Sequence, residues 1–154
     1  WAERQDDRNK LWQARHDAYW AARALKPGAE MLSTDVCVPI SELAACVEAT
    51  RKDIERLGLL APIVGHVGDG NFHVLPLIDP EDAGEGACVQ AFLDRLVERA
   101  LACGGTCTGE HGVGQGKIGY LAAEHGRGVE VMAAIKKALD PLNILNPGKI
   151  FAVP

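Results

Sequence analysis

The spacing of hydrophobic residues divides the first third of the chain into a helix, a strand and a second helix. Over 1–25 the apolar residues recur every three or four positions and a Pro-Gly pair follows, so the pattern predicts a helix that ends there. Residues 34–39 alternate and end at a proline, which is typical of a short strand. Helical spacing resumes over 41–57, with Ser41 in the position of an N-cap and Gly58 as the stop.

The middle of the chain predicts a β-hairpin followed by a third helix and a further strand. Apolar runs over 61–68 and 71–78 flank an Asp-Gly pair, and Asp-Gly at such a junction favours a two-residue hairpin turn. Helical spacing then covers 86–103 and stops at two glycines. The segment 106–109 is predicted to be a fourth short strand.

This order of elements is that of the split βαβ, or ferredoxin-like, arrangement, an α+β fold with an antiparallel sheet and both helices on one face. We therefore predict a ferredoxin-like domain over 31–112, preceded by an N-terminal helical region over 1–30. The remainder, 113–154, is predicted to hold one or two helices, interrupted near a Gly-Arg-Gly segment, and an extended proline-containing tail.

Composition narrows the class of protein. A chain of 154 residues, 47% of them hydrophobic, is long enough for one domain with a sizeable core. The net charge of −5 and the lack of a basic run argue against binding to nucleic acid or to an anionic membrane surface, and no apolar stretch has the length of a membrane span. Five cysteines without a C-x-x-C pair predict reduced thiols in the cytoplasm, and a first residue other than methionine suggests a piece of a longer protein.

Candidate chemistry lies in two glycine-rich stretches. A two-residue hairpin turn would place His66 directly opposite His73, with Cβ atoms about 4.5–5.5 Å apart, close enough for both imidazoles to share a metal ion. The alternative is a plain hairpin whose histidines make ordinary hydrogen bonds. Glu110 in the second stretch favours the metal, because two imidazoles and a carboxylate form a three-ligand set that leaves a position open for a substrate or water. Zinc, manganese and iron all accept such ligands.

Three longer motifs carry a resemblance to a known family. They are G-H-V-G-D-G-N-F-H at 65–73, G-G-T-C-T-G-E-H-G-V-G-Q-G-K at 104–117 and L-D-P-L-N-I-L-N-P-G-K-I-F at 139–151. Together they resemble the C-terminal region of FAD-linked oxidases of the vanillyl-alcohol-oxidase type, within the branch of D-lactate dehydrogenase, the glycolate oxidase subunit and D-2-hydroxyglutarate dehydrogenase. The segments 12–16 and 35–39 also fit, so the resemblance extends over almost the whole chain.

The resemblance implies a role for each candidate residue. It implies an FAD-dependent oxidation of a 2-hydroxy acid to a 2-oxo acid, with a divalent metal, zinc or manganese, held by the same two histidines and glutamate. His111 would take the proton of the substrate hydroxyl, and Arg15 would bind a substrate carboxylate. Asn146 and Lys149 would lie near the flavin.

Two departures from the relatives bear on the substrate. Ser33 stands where those acting on 2-hydroxyglutarate have a lysine that helps to hold the second carboxylate, and Leu75 stands where they have an asparagine. Both replacements favour a smaller or more apolar acid, such as lactate, glycolate or an acid with an aliphatic tail.

The resemblance also defines partners and alternatives. The N-terminal flavin-binding domain of the family is not among these residues, so we expect the chain to contact that domain and to be inactive without it. A protein electron acceptor and a homodimer are left open as partners. The alternatives are a small hydrolase that uses the three metal ligands to activate water, and a ferredoxin-like interaction module without catalysis.

Overall fold

A computed structural model describes residues 2–151, so the predicted helical position of Trp1 lies outside the described part of the chain. The helices in this range are α1 (Gln5–Arg23), α2 (Ile40–Leu57), α3 (Ala83–Ala102), α4 (Ile118–His125) and α5 (Gly128–Leu139). The strands are β1 (Glu30–Met31), β2 (Val36–Cys37), β3 (Ile63–His66), β4 (Asn71–Val74) and β5 (Leu77–Ile78).

The main sheet has the strand order that the ferredoxin-like arrangement requires. Strand β4 lies between β2 and β3 and is antiparallel to both. An antiparallel bridge between Cys37 and Thr106 extends the sheet beyond β2. The predicted fold class, α+β with an antiparallel sheet, is therefore confirmed, although the fourth predicted strand is reduced to the single bridge at Thr106.

The two faces of the sheet have different roles. Phe72 and Val74 of β4 are buried in a core with Phe92 and Leu96 of α3, and residues of α2 complete the same cluster. Alternation along β4 places His73 on the opposite face. Helices α2 and α3 therefore cover one face of the sheet, and the opposite face is available for a site.

The predicted hairpin register is wrong by two residues. His66 pairs with Asn71, and His73 pairs with Val64. The turn spans 67–70 rather than two residues, because a type I′ turn needs positive φ at both central positions and only Gly70 of the Asp-Gly pair has it, at 75°. Since side chains alternate with a period of two, this shift leaves both histidines on the same face.

The second predicted hairpin strand is divided in two. Pro76 separates β4 from β5, and β5 pairs instead with β1, a small sheet that the sequence analysis did not predict. The ammonium of Lys26, just after α1, lies 2.8 Å from both carboxylate oxygens of Glu85 in α3. These contacts fix the end of α1 to the ferredoxin-like unit.

The observed helix ends confirm some of the predicted ends and correct others: α3 stops just before the two predicted glycines, whereas α1 begins only at Gln5. Gly58 ends α2 in the left-handed conformation with φ of 67°, as predicted. The N-terminus of α2 follows Pro39, and Ser41 lies inside the helix rather than capping it. Helix α3 begins three residues early because the Asp82 side chain accepts from the N–H groups of Gly84 and Glu85.

The C-terminal part consists of two helices and a tail, in agreement with the predicted interruption. The tail returns to the glycine-rich loop, where the N–H of Ile150 donates to the carbonyl of Gly114 at 2.7 Å. Its apolar side chains Leu142 and Ile144 are largely exposed. Within 2–151, no helix has both the length and the apolar content that would be needed to cross a membrane.

Replacing Gly70 with alanine is expected to destabilise the fold by about 2–5 kcal/mol. A left-handed alanine costs about 1–2 kcal/mol, and an added Cβ would overlap the Val38 carbonyl oxygen, with overpacking of this kind costing about 1–3 kcal/mol. Gly68→Ala in the same turn is the matched control, because its Cβ would meet no atom within 4 Å. Urea unfolding of both variants checks this, and equal midpoints would contradict it.

Candidate metal and substrate site

Three predicted metal ligands meet on the face of the sheet opposite α2 and α3. One ligand atom from each of His66, His73 and Glu110 lies within 4.8 Å of the other two. Oε1 of Glu110 is 3.0 Å from Nε2 of His73 and 3.7 Å from Nε2 of His66. The structure thus brings together the two hairpin histidines and a glutamate that is 37 residues further along the chain than His73.

The hydrogen bonding of His73 suits a metal ligand. Its Nδ1 lies 2.8 Å from the backbone carbonyl of Thr34, and because a carbonyl only accepts, the Nδ1 carries the proton. The lone pair of the neutral imidazole is then on Nε2, which faces Glu110. Metal-binding histidines commonly donate a hydrogen bond from their other ring N–H in this way. The two imidazoles and the carboxylate therefore fit a divalent ion as ligands.

The loop that carries Glu110 and His111 is held by a buried carboxylate that the sequence analysis did not single out. Asp35 accepts hydrogen bonds from the backbone N–H groups of Gly109, Glu110 and His111. Burial alone would raise the pKa of Asp35, but these bonds, with one from the Thr108 hydroxyl, outweigh it and hold the pKa well below its usual range. The group is therefore ionised at neutral pH.

His111 lies against the metal ligands. Its ring stacks on that of His73, with centroids 4.8 Å apart and planes 13° apart, and its Nε2 is 3.7 Å from Oε1 of Glu110. The side chain remains partly exposed. An imidazole beside the ligands and open to the cavity can exchange a proton with a bound molecule.

Arg15 reaches the site from α1. Its Nη2 lies 3.0 Å from Nε2 and 3.2 Å from Nδ1 of His66. A neutral imidazole has one acceptor nitrogen, so at most one of these contacts is a hydrogen bond. The guanidinium thus lies at the edge of the ligand set, and most of its N–H donors have no partner among residues 2–151, which suits the binding of a carboxylate.

These five residues line one cavity of about 550 Å³. Ser33 and Leu75, the two positions from which the sequence analysis predicted a smaller or more apolar acid, line it as well. Ala18, Tyr19 and Val64 add apolar surface. The cavity therefore combines a polar end, formed by the ligands and the arginine, with an apolar wall.

The two residues predicted to lie near a flavin are outside this cavity. Asn146 and Lys149 are on the C-terminal tail and are exposed. The tail contacts the loop at Gly114, three residues after His111, so both lie on the segment that returns toward the site. Among the residues that the structure describes, no hydrogen bond joins either of them to a residue that lines the cavity.

Asn71 is a second residue that the sequence analysis missed. It is buried opposite His66, and its Oδ1 has no hydrogen-bond partner among the described residues. Its amide packs on Gly109, where an added Cβ would lie 2.6 Å from Oδ1. A side chain in place of Gly109 would therefore have to displace the buried Asn71 amide. The pairing of a buried asparagine with this glycine depends on the tertiary fold and has no local signal.

The five cysteines are free thiols in the structure. Burial, with a contribution from the neighbouring Glu124 carboxylate, raises the pKa of the Cys107 thiol to about 11. Glu124 also accepts a hydrogen bond from the Cys107 N–H. Cys107 is thus a neutral, buried group at physiological pH, in keeping with a structural role.

Comparison with known proteins gives consistent results. The sequence profile of FAD linked oxidases, C-terminal domain, matches residues 1–150. The chain is 52% identical to the probable mitochondrial D-lactate dehydrogenase of Danio rerio and 43% identical to the mitochondrial D-lactate dehydrogenase [cytochrome] of Arabidopsis thaliana, in each case over 97% of this chain. It is 38% identical to the glycolate oxidase subunit GlcD of Bacillus subtilis over 98% of this chain.

The matched relatives are much longer than this chain. It spans 30%, 26% and 32% of their respective lengths. Among solved structures, 4-ethylphenol oxidase from Gulosibacter chungangensis superimposes with a TM-score of 0.66 over 98% of this chain and 32% of that one. At 24% sequence identity, this likeness shows a shared fold.

Proposed function

The chain belongs to the family of C-terminal domains of FAD-linked oxidases, and on that premise we propose that it forms the substrate- and metal-binding part of an FAD-dependent D-2-hydroxyacid dehydrogenase. D-lactate dehydrogenase and glycolate oxidase are the types that its relatives' names support. The observation that carries the proposal is the meeting of His66, His73, Glu110, His111 and Arg15 in one cavity. Family membership favours this function over the hydrolase and interaction-module alternatives.

A divalent ion, zinc or manganese, would be held by the two hairpin histidines and Glu110. When bound, it would supply the Lewis acidity that makes a nearby hydroxyl easier to deprotonate. Thr34 would keep the proton of His73 on Nδ1 and so keep Nε2 available. Because His66 has a single acceptor nitrogen, Arg15 would release that nitrogen when the ion is present.

The remaining chemistry is assigned to Arg15 and His111. Arg15, freed from His66, binds the carboxylate of the 2-hydroxy acid through paired N–H donors and fixes its orientation. His111 accepts the hydroxyl proton at Nε2, the ring nitrogen nearest to Glu110. FAD, when bound, supplies the acceptor for the hydride from C2.

The side chains that line the cavity support a short or aliphatic acid as the substrate. Ser33 lacks the positive charge that a second carboxylate would need, and Leu75 offers no hydrogen bond. Tyr19 and Val64 continue the apolar wall. D-lactate and glycolate, or an acid with an aliphatic tail, would leave no charge unpaired in this space.

The proposed organisation retains the boundaries 1–30, 31–112 and 113–154. The flavin domain is the proposed partner, and exposed apolar side chains on α1, on α5 and on the tail offer surface for it. Asn146 and Lys149 are proposed to face the flavin. The unpaired cysteines support a cytoplasmic location, although several relatives are named as mitochondrial. A protein electron acceptor and a homodimer remain part of the proposal.

The test uses the full-length flavoprotein and dye reduction by D-lactate, glycolate and D-2-hydroxyglutarate. We expect one equivalent of divalent metal, loss of activity on chelation, recovery with zinc or manganese, and a kcat/KM for a monocarboxylate at least about tenfold above that for the dicarboxylate. A metal-free protein as active as the loaded one would contradict the metal assignment. A preference for D-2-hydroxyglutarate would contradict the substrate assignment.

A further inference from the structure

We propose that Asp35 is a positioning residue of this site, whose carboxylate fixes the loop 108–111 so that Glu110 and His111 meet His73. The proposal rests on the proposed function, because it concerns how the ligand set and the proton acceptor are held. Asp35 lines no part of the substrate cavity. It would therefore act through the loop and not by touching the substrate.

The first step of the argument is the number of donors that converge on this carboxylate. The N–H groups of Gly109, Glu110 and His111 lie 2.9, 3.0 and 2.8 Å from its Oδ2, and the hydroxyl of Thr108 lies 2.8 Å from the same atom. Three successive backbone N–H groups that point at one oxygen form a nest, which favours an anion over a neutral acceptor. The backbone from which both functional side chains project is thereby fixed.

A partly buried cation completes the arrangement. The ammonium of Lys117 donates to the carbonyl of Asp35 at 2.9 Å and lies 3.3 Å from its Oδ2. The Asp35 side chain is 0% exposed and that of Lys117 is 19% exposed. Because a buried carboxylate needs a compensating charge, Lys117 stabilises the ionised form that the loop requires. The glycine-rich stretch is thus tied at 108–111 and again at Lys117 to the same residue, Asp35, which directly precedes β2.

The position of Asp35 in the chain links the loop to the histidine it must meet. The preceding residue, Thr34, accepts the Nδ1 proton of His73 through its backbone carbonyl. The Asp35 carboxylate is 3.8 Å from that same Nδ1, which is too long for a hydrogen bond. Two adjacent residues directly before β2 therefore orient His73 and the loop with respect to each other.

A second buried carboxylate provides the control. Asp53 in α2 is 7% exposed at its side chain and pairs with Arg56, Arg95 and Arg99. These contacts tie α2 to α3 on the opposite face of the sheet, and none of the four residues lines the substrate cavity. Replacing Asp53 with asparagine removes a buried negative charge that is paired with cations, as the same replacement does at Asp35, but it leaves the hydrogen bonds of the loop 108–111 in place.

The experiment compares Asp35→Asn and Asp53→Asn in the full-length protein. Zinc affinity is measured by competition with a chelator, and hydrogen exchange is followed for peptides covering 108–111 and α2. We expect Asp35→Asn to weaken zinc binding by about 10–100-fold, as loss of a residue that orients metal ligands does, and to speed exchange in 108–111. Asp53→Asn should speed exchange in α2 and leave zinc binding and 108–111 within twofold of the parent.

Lys117→Met provides a second variant should Asp35→Asn fold poorly, because it keeps the carboxylate and removes the ammonium that compensates its charge and donates to the Asp35 carbonyl. We expect a smaller change in the same direction, about 3–10-fold in zinc affinity. Zinc affinity and exchange in 108–111 that match the parent in both site variants would overturn the positioning role. A parent that binds no zinc would overturn the metal assignment of the proposed function, while the exchange of 108–111 would still decide the role of Asp35.

Discussion

The His73→Ala variant is expected to lose stoichiometric metal binding and to oxidise 2-hydroxy acids at least about 10³-fold more slowly than the parent. The buried Nε2 of His73 is the ligand atom closest to Glu110, and its ring is held in place by the hydrogen bond to Thr34. Its removal leaves one half-exposed imidazole and one carboxylate, too few donors to hold a divalent ion. The several kcal/mol that such an ion contributes to transition-state stabilisation correspond to about 10³ in rate.

Metal content by mass spectrometry and dye reduction by the full-length protein measure this effect. His125→Ala is the matched control, because His125 is a partly exposed histidine at the end of α4 that contacts Glu124 and lies outside the cavity. The control should retain one equivalent of metal and full activity. Retention of the metal by His73→Ala would show that the histidine is structural.

The site face could be predicted from the sequence better than the detailed pairing. A period of two puts His66 and His73 on the same face in any register that shifts by an even number of residues. The type and length of the turn could not be predicted, since Asp-Gly also occurs in longer turns in which only the glycine is in the left-handed region, as Gly70 is here. The three predicted ligand groups therefore lie together despite the error of two residues in the predicted register, while the metal itself stays a prediction.

Residues that act over long sequence separations could not be predicted in this way. Asp35 and the loop it holds are separated by 73 to 76 residues, and nothing local distinguishes this aspartate from any other polar residue next to a strand. Pro76 illustrates the converse, since it is a visible local signal that divides β4 from β5. Local chemistry thus determines where elements end, while tertiary packing decides which polar groups share a site.

The His111→Gln variant is expected to lower kcat by about 10²–10⁴-fold while leaving metal binding unchanged, which is the magnitude typical of a lost general base. Glutamine is close to histidine in length and polarity but cannot accept a proton at neutral pH. His111 is 44% exposed and is not one of the three groups whose ligand atoms cluster, so its replacement should alter neither the fold nor the metal content.

The measurement that separates this role from a structural one is the pH profile of kcat in the full-length protein. The limb that reports the general base should disappear in His111→Gln, and added imidazole should restore part of the activity of His111→Ala, because the free base can occupy the vacated space beside His73. If kcat of the variant stays within threefold of the parent value, a group other than His111 accepts the proton. A variant that loses metal together with activity would instead make His111 part of the ligand set, so the metal content decides between the two roles.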